Sequence, residues 1–280
     1  MGIIDFILNL AGLLLWLNWW AEQVDPVTKR KPATLVGTLR RPDSRSRNWQ
    51  LPSAIAGLLL LRALFYWQIG STAHWSAKLN CGALILSFPI PDNSWTACGR
   101  MLLFSVLSFG LTLAFFYLCL LLLSILNGPE PFRTFIRSQL GRVDAWSTGM
   151  KLVFPFIVAS ASWWILSWMF QAMQILPAPA SEAKRLGEAV VVGSGSYLAW
   201  QYVAIGLLAL HLLNSYIYFG KHPFWNFVNA EAQTLLAPMR KLPLRVGKVD
   251  FAMFLGIILV FLVAKGAGDA LTWLCRRLGV

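Results

Sequence analysis

Few side chains in this chain can do chemistry, and most of them stand inside apolar runs. Arg62 interrupts the run over 53–70, His211 and Asn214 that over 196–219, and Lys265 and Asp269 that over 251–273. An ionised residue at the centre of a membrane span costs about 2.5–3.5 kcal/mol on insertion scales, so it must snorkel, pair or face a wet cavity. This leaves two readings. Arg62, His211, Lys265 and Asp269 could line an intramembrane polar path. Alternatively, Lys265 and Asp269, four residues apart on one helix face, neutralise each other. Asp5 reaches a similar depth and could join that pair in a polar cluster. A single intramembrane histidine more often hydrogen-bonds to a neighbouring helix than binds metal. His74, His211 and His222 are too scattered for a metal site, and no metal or cofactor is expected. No Walker loop, nucleophile elbow or dinucleotide turn is present, so the chain is not expected to be an enzyme. Gly193-Ser194-Gly195-Ser196 reads as a flexible lead into a helix, not a phosphate cradle.

The composition explains why such residues are rare. Of 280 residues, 57% are hydrophobic and 13% charged, against roughly 25% charged in soluble domains. Too little polar surface exists to cover a water-facing fold. Fourteen tryptophans suit rings that favour membrane interfaces. The sequence therefore predicts an all-α, polytopic transmembrane helix bundle.

A span needs about 17–25 mostly apolar residues. Six segments qualify: 3–20, 53–70, 101–126, 150–176, 196–219 and 251–273. Asn9 and Asn18 weaken the first. The first 20 residues contain no Lys or Arg, so this run reads as a retained span and not a cleaved signal. Phe6 occupies the position where a myristoylation motif wants Ser or Thr. Of 24 Lys+Arg residues, 15 fall in the first, third and fifth connections. The bias of cations towards the cytoplasm then puts those loops inside and both termini outside a bacterial inner membrane. The first loop, with Lys29–Lys31 and Arg40–Arg47, is read as an orienting segment that meets anionic lipid headgroups at about 1 kcal/mol per cation. Its prolines and lack of interleaved aromatics argue against direct nucleic-acid binding.

Two of the basic connections nearly repeat each other 106 residues apart. Pro131-Phe132-Arg133 precedes Gly141-Arg142-Val143-Asp144, and Pro238-Met239-Arg240 precedes Gly247-Lys248-Val249-Asp250. Each copy lies between apolar runs, which predicts tandem, parallel two-helix repeats. Physically, Gly141 and Gly247 permit a sharp turn, while Arg142 and Lys248 reach lipid phosphate. Asp144 and Asp250 stand where an N-cap is expected, worth about 1 kcal/mol. Pro223 to Leu236 reads as an amphipathic helix with Phe224, Val228, Ala232, Leu235 and Leu236 on one face. It is expected to lie on the inner leaflet, with packing against another helix as the alternative. Span six also carries Ala252-x-x-x-Gly256 and Ala264-x-x-x-Gly268, seams that let helices approach, either between repeats or between protomers.

These motifs resemble the YggT family, called YlmG in plastids and cyanobacteria, over roughly 101–273. The C-terminal copy is the better match, with His222-Pro223-Phe224-Trp225, Leu235 to Pro243 and Gly247 to Phe251. The resulting expectation is a two-helix extension over 1–100 and YggT-like repeats over 101–176 and 177–280. The resemblance implies an ill-defined role in envelope organisation, cell division or osmotic homeostasis. The expected function is a membrane scaffold with membrane or division-protein partners, including a second copy. A small ion or osmolyte transporter is the alternative. Finally, Cys81 and Cys98 share the second loop, on the side where a disulfide is permitted.

Overall fold

The computed structural model describes residues 2–24, 49–73, 76–80, 85–88, 95–126, 132–177, 181–217, 222–237, 239, 245–246 and 249–278. Among these, six helical stretches are long and apolar enough to cross a membrane: Gly2–Ala21, Gln50–Gly70, Trp95–Leu126, Thr148–Ala172, Glu182–Tyr216 and Ala252–Arg277. The protein is an all-helical, multi-pass membrane protein. Lipid offers no partner for backbone N–H and C=O groups, so each apolar run closes its bonds internally as a helix.

In chain order the helices are α1 (Gly2–Val24), α2 (Gln50–Ala73), α3 (Trp95–Leu126), α4 (Phe132–Leu140), α5 (Thr148–Ala172), α6 (Glu182–Gly195), α7 (Trp200–Tyr216), α8 (Pro223–Leu236) and α9 (Ala252–Leu278). One 3-10 turn, Gly141–Ala145, precedes α5, and another, Ser196–Ala199, joins α6 to α7. Two short ladders complete the described elements. Strand β1 (Ala77–Asn80) pairs with β2 (Ile85–Phe88), and β3 (Arg245–Val246) pairs antiparallel with β4 (Val249–Asp250).

The chain divides into two compact units. The first joins Met1–Leu79 to Ser87–Ala114, and the second joins Asn80–Leu86 to Phe115–Val280. Their boundary falls inside α3, beyond the residue-100 boundary expected from the repeats. Within the first unit α1 packs along α2. Within the second, α5 packs on α6, while α7, α8 and α9 form a second packed group.

The fifth span starts earlier than expected. Gly193-Ser194-Gly195-Ser196 is helical, not a flexible lead. Ser181 caps α6 by accepting from the Lys184 amide at 3.2 Å. Packing explains the rest. A Cβ at Gly193 would lie 2.0 Å from Ser160 Oγ and 3.0 Å from the Phe156 carbonyl oxygen of α5. Glycine is there for close helix approach, not for mobility. Pro155 sits inside α5, and Tyr197 Oη donates to the nearby Leu152 carbonyl at 2.5 Å. Such a side-chain bond serves a carbonyl in a turn that proline disturbs.

The amphipathic segment 223–236 forms α8, with His222 Nδ1 accepting from the Phe224 amide at 3.2 Å and Pro223 in the first turn. Its buried face is Phe227, Val228, Glu231, Ala232 and Leu236, with Phe224 and Leu235 half-buried. That face is covered by Leu207 and Leu208 of α7 and by Met253 of α9. Packing on neighbouring helices, the alternative reading, accounts for its apolar stripe. α9 comes close because Gly256 stands where a Cβ would meet Leu236 at 2.8 Å and Leu208 at 3.4 Å.

Candidate functional site

In the first unit the polar residues converge on Arg62. Its side chain is fully buried, and Asp5 is 22% exposed. Asn9 Oδ1 accepts from Arg62 Nη1 at 2.8 Å, Ser108 Oγ accepts from Nη2 at 3.0 Å, and Asp5 Oδ1 accepts from Nη2 in a short ion pair. Tyr66 Oη donates to the same Asp5 oxygen at 2.8 Å, and Asn9 Nδ2 donates to Ser108 Oγ at 3.1 Å. The guanidinium also lies 5.1 Å from the Phe104 ring centre and 5.7 Å from that of Tyr66, a cation–π geometry. Helices α1, α2 and α3 each contribute, so the network ties three spans together. Asn9, which weakens span one on hydropathy alone, is one of its anchors. Asp5 pairs with Arg62, and not with Lys265 and Asp269 as the outer-cluster reading expects.

In the second unit the first basic corner organises around Asp144. Ser124 Oγ donates to Asp144 Oδ1 at 2.5 Å and accepts from Lys151 Nζ at 2.7 Å. Lys151 Nζ stands 3.6 Å from Asp144 Oδ1, and Arg137 Nε donates to Oδ2 at 3.2 Å. Partial burial pushes the Asp144 carboxyl up. The Ser124 bond, the Lys151 charge and the Arg137 bond together outweigh it and hold the carboxyl below its ordinary range. Asp144 is therefore a junction of α3, α4 and α5, and not the expected helix cap. The cap is Ser147, whose Oγ accepts from the Met150 amide at 3.4 Å. The physical reason is the turn: Gly141 adopts φ +55°, and the 3-10 turn to Ala145 sets Asp144 too early for α5. Arg133 and Arg142 are exposed.

The second corner is built differently. Asp250 lies in β4 opposite Arg245 in the ladder, and α9 begins only at Ala252. Pro131, Pro238, Arg240, Gly247 and Lys248 lie outside the described residues. So do the polybasic stretch over 29–47 and Cys81. Cys98, in the first turn of α3, is a free thiol, so the expected Cys81–Cys98 bridge is not formed.

The remaining members of the expected polar path have separate surroundings. His211 Nδ1 lies 2.8 Å from Asn229 Oδ1, which also accepts from Asn214 Nδ2 at 3.2 Å, tying α7 to α8. Since Asn229 Oδ1 accepts, Nδ1 carries the proton in this assignment. Lys265 and Asp269 are exposed on α9, and neither has an ion-pair partner among the described residues. The self-neutralising pair is thus not formed either. Gly268 beside them has only Leu198, at 4.0 Å, near the place of a Cβ.

Sequence reasoning missed Glu231. It is 1% exposed, and both carboxylate oxygens are without a hydrogen-bond partner among the described residues. Burial pushes its carboxyl up to about 7. The available signal was position: Glu231 comes after Phe227 and Val228 by four and three residues, on the buried stripe. A groove of about 300 Å³ lies beside α7, lined by Phe115, Cys119, Tyr202, Val203, Gly206, Leu207 and Leu210. Among the described residues, no group of three His, Cys, Asp or Glu side chains could hold a metal.

No family model, curated protein or solved structure matches this chain.

Proposed function

We propose that this chain is a membrane scaffold, an integral protein whose spans dock other membrane helices, and that it transports nothing. The observation that carries this reading is the outward face of α9. Lys265 and Asp269 are exposed near the middle of a span and lack partners among the described residues, beside exposed Phe261, Leu262 and Val263. Each such charge costs about 2.5–3.5 kcal/mol against lipid. A partner helix with complementary polar groups removes that cost. The seam Ala264-x-x-x-Gly268 next to them leaves room for close approach, whereas Gly256 in the first seam is already filled by Leu236 and Leu208. A second copy of the chain or another membrane protein fits this face.

The other intramembrane polar groups support the same reading. Arg62 and His211 are spent on neighbours that tie helices together, which leaves them poorly placed to hand an ion along a path. The reading assigns no catalysis. It also keeps the YggT-like interpretation: two tandem helix–connector–helix units, with Asp144 and Asp250 at matching corners. It places the protein in a bacterial cytoplasmic membrane with both termini outside, because most cations lie in the odd-numbered connections. Arg133 and Arg142 then face anionic headgroups.

The test is co-purification after mild solubilisation. Lys265→Leu with Asp269→Leu should strip partners, or convert an oligomer to a monomer, while the protein stays folded. An unchanged oligomer and partner set refutes the proposal. Ion or osmolyte flux in proteoliposomes that fails when Arg62, His211, Lys265 and Asp269 are replaced would establish transport instead.

A further inference from the structure

We propose that Glu231 is a proton-binding site whose occupancy controls how firmly α8 is seated on α7 and α9. This goes beyond the scaffold reading and does not depend on it.

The geometry is unusual for a carboxylate. Glu231 is 1% exposed, with both oxygens unpartnered among the described residues. Its stripe on α8 holds Phe227, Val228 and Leu235, packed against Leu207, Leu210 and Val203 of α7. An isolated carboxylate in such surroundings is strongly disfavoured and takes up a proton instead. A metal cation is a poor alternative occupant. Hard cations want about six oxygen ligands, and the residues packed on this face are hydrocarbon and thioether. A proton needs only the carboxylate itself.

The neighbouring elements supply no counter-charge. The titratable or charged groups on α7 are Tyr202, His211 and Tyr216. Those on α9 are Lys265, Asp269, Cys275, Arg276 and Arg277. On α3, whose Leu123 reaches this cluster, they are Arg100, Cys98, Tyr117 and Cys119. None of them contributes to the shift at Glu231, which burial alone causes. His211 is directed at Asn229.

The sign comes from linkage. The seated form holds its proton up to about 7, whereas a hydrated glutamate releases it near 4.5. Seating is therefore firmest below 4.5, weakens as pH rises towards 7, and levels off above that. In this window the seated-to-lifted ratio falls by up to about tenfold per pH unit. Protonated, α8 buries its whole stripe. Ionised, Glu231 draws the helix towards water.

The experiment is hydrogen–deuterium exchange of the full-length protein in nanodiscs from pH 5 to 8.5, with wild type and Glu231→Gln read side by side so that the intrinsic pH dependence of exchange cancels. The expected result is that protection of α8 amides in wild type falls up to about tenfold per unit and then flattens near 7. Protection in Glu231→Gln should stay high and level. Wild-type protection that parallels the glutamine variant at every pH overturns the proposal. So does protection that varies with Na⁺ or K⁺ at fixed pH, since that marks a metal cation. Should Glu231→Gln fail to fold, Glu231→Leu takes its place. The infrared band of a protonated carboxyl in wild type gives an independent reading, and its absence at pH 5 is equally fatal.

Discussion

Removing the acid from the Arg62 network should harm the protein more than removing the base. The two partners differ in exposure: the Arg62 side chain is fully buried, whereas Asp5 is 22% exposed near the start of α1. Asp5→Asn preserves shape and an acceptor for Arg62 and Tyr66, but leaves a buried guanidinium without a counter-charge. Breaking a buried pair in this way costs about 3–5 kcal/mol. Arg62→Met removes the charge and keeps an apolar stem. Asp5 is then reachable from the helix end and still accepts from Tyr66, while Asn9 still donates to Ser108. What is lost is mainly a set of interhelical hydrogen bonds, which average only ~0.6 kcal/mol each in membrane proteins. With bonds to Asn9, Ser108 and Asp5 the expected loss is about 2 kcal/mol. The double variant should recover part of the Asp5→Asn loss, because the stranded charge is gone. Reversible unfolding in mixed micelles, by rising SDS fraction, gives all three values. If Arg62→Met proves as damaging as Asp5→Asn, or if the double variant equals the sum of the singles, the reasoning from unequal burial is wrong.

The second unit yields three further outcomes. Gly193→Ala should lower the midpoint of thermal unfolding by an amount equivalent to about 1–3 kcal/mol of overpacking, whereas Gly206→Ala, with nothing within 4 Å of its Cβ, should leave it unchanged. The stabilisation that Asp144 draws from Ser124, Lys151 and Arg137 is present above its ordinary 3.8 and is lost as pH falls through its lower folded value. Wild type should therefore lose stability over that acid range while Asp144→Asn loses less, read as unfolding midpoints against pH. Lys151→Ile, which copies Ile257 at the matching position of the second corner, should leave Asp144 with Arg137 and Ser124 alone. A loss of about 1–3 kcal/mol is expected, checked by the same unfolding assay.

The spans were legible because a run long enough to cross a bilayer has little choice but helix. The polar interior was not, because hydropathy treats each residue without its neighbours. Asn9 reads as a defect in α1 until Arg62 and Ser108 are brought beside it. Glu231 reads as one acid on a helix that already has a polar face. Only its position among Phe227, Val228 and Ala232 hints at burial. The glycine–serine stretch 193–196 carries the residues of a flexible linker, yet close packing on Phe156 and Ser160 makes it helical. Local propensity is a weak guide wherever tertiary contact decides.

The two corners show how far a repeated motif constrains structure. Gly-basic-Val-Asp occurs in both, yet in the first it forms a 3-10 turn and in the second its Val-Asp half forms a strand. The difference traces to the helix on the C-terminal side of each turn. Lys151 lies one turn into α5 and reaches back to Ser124 and Asp144, drawing the corner against the end of α3. The second copy has Ile257 at that place, so no cation from α9 is available at the same step. Arg245 instead stands opposite Asp250 across a two-residue ladder. The motif therefore specifies a reversal of the chain and an acid at its exit. The position of the compensating cation, on the helix after the turn or on the strand before it, selects the local fold.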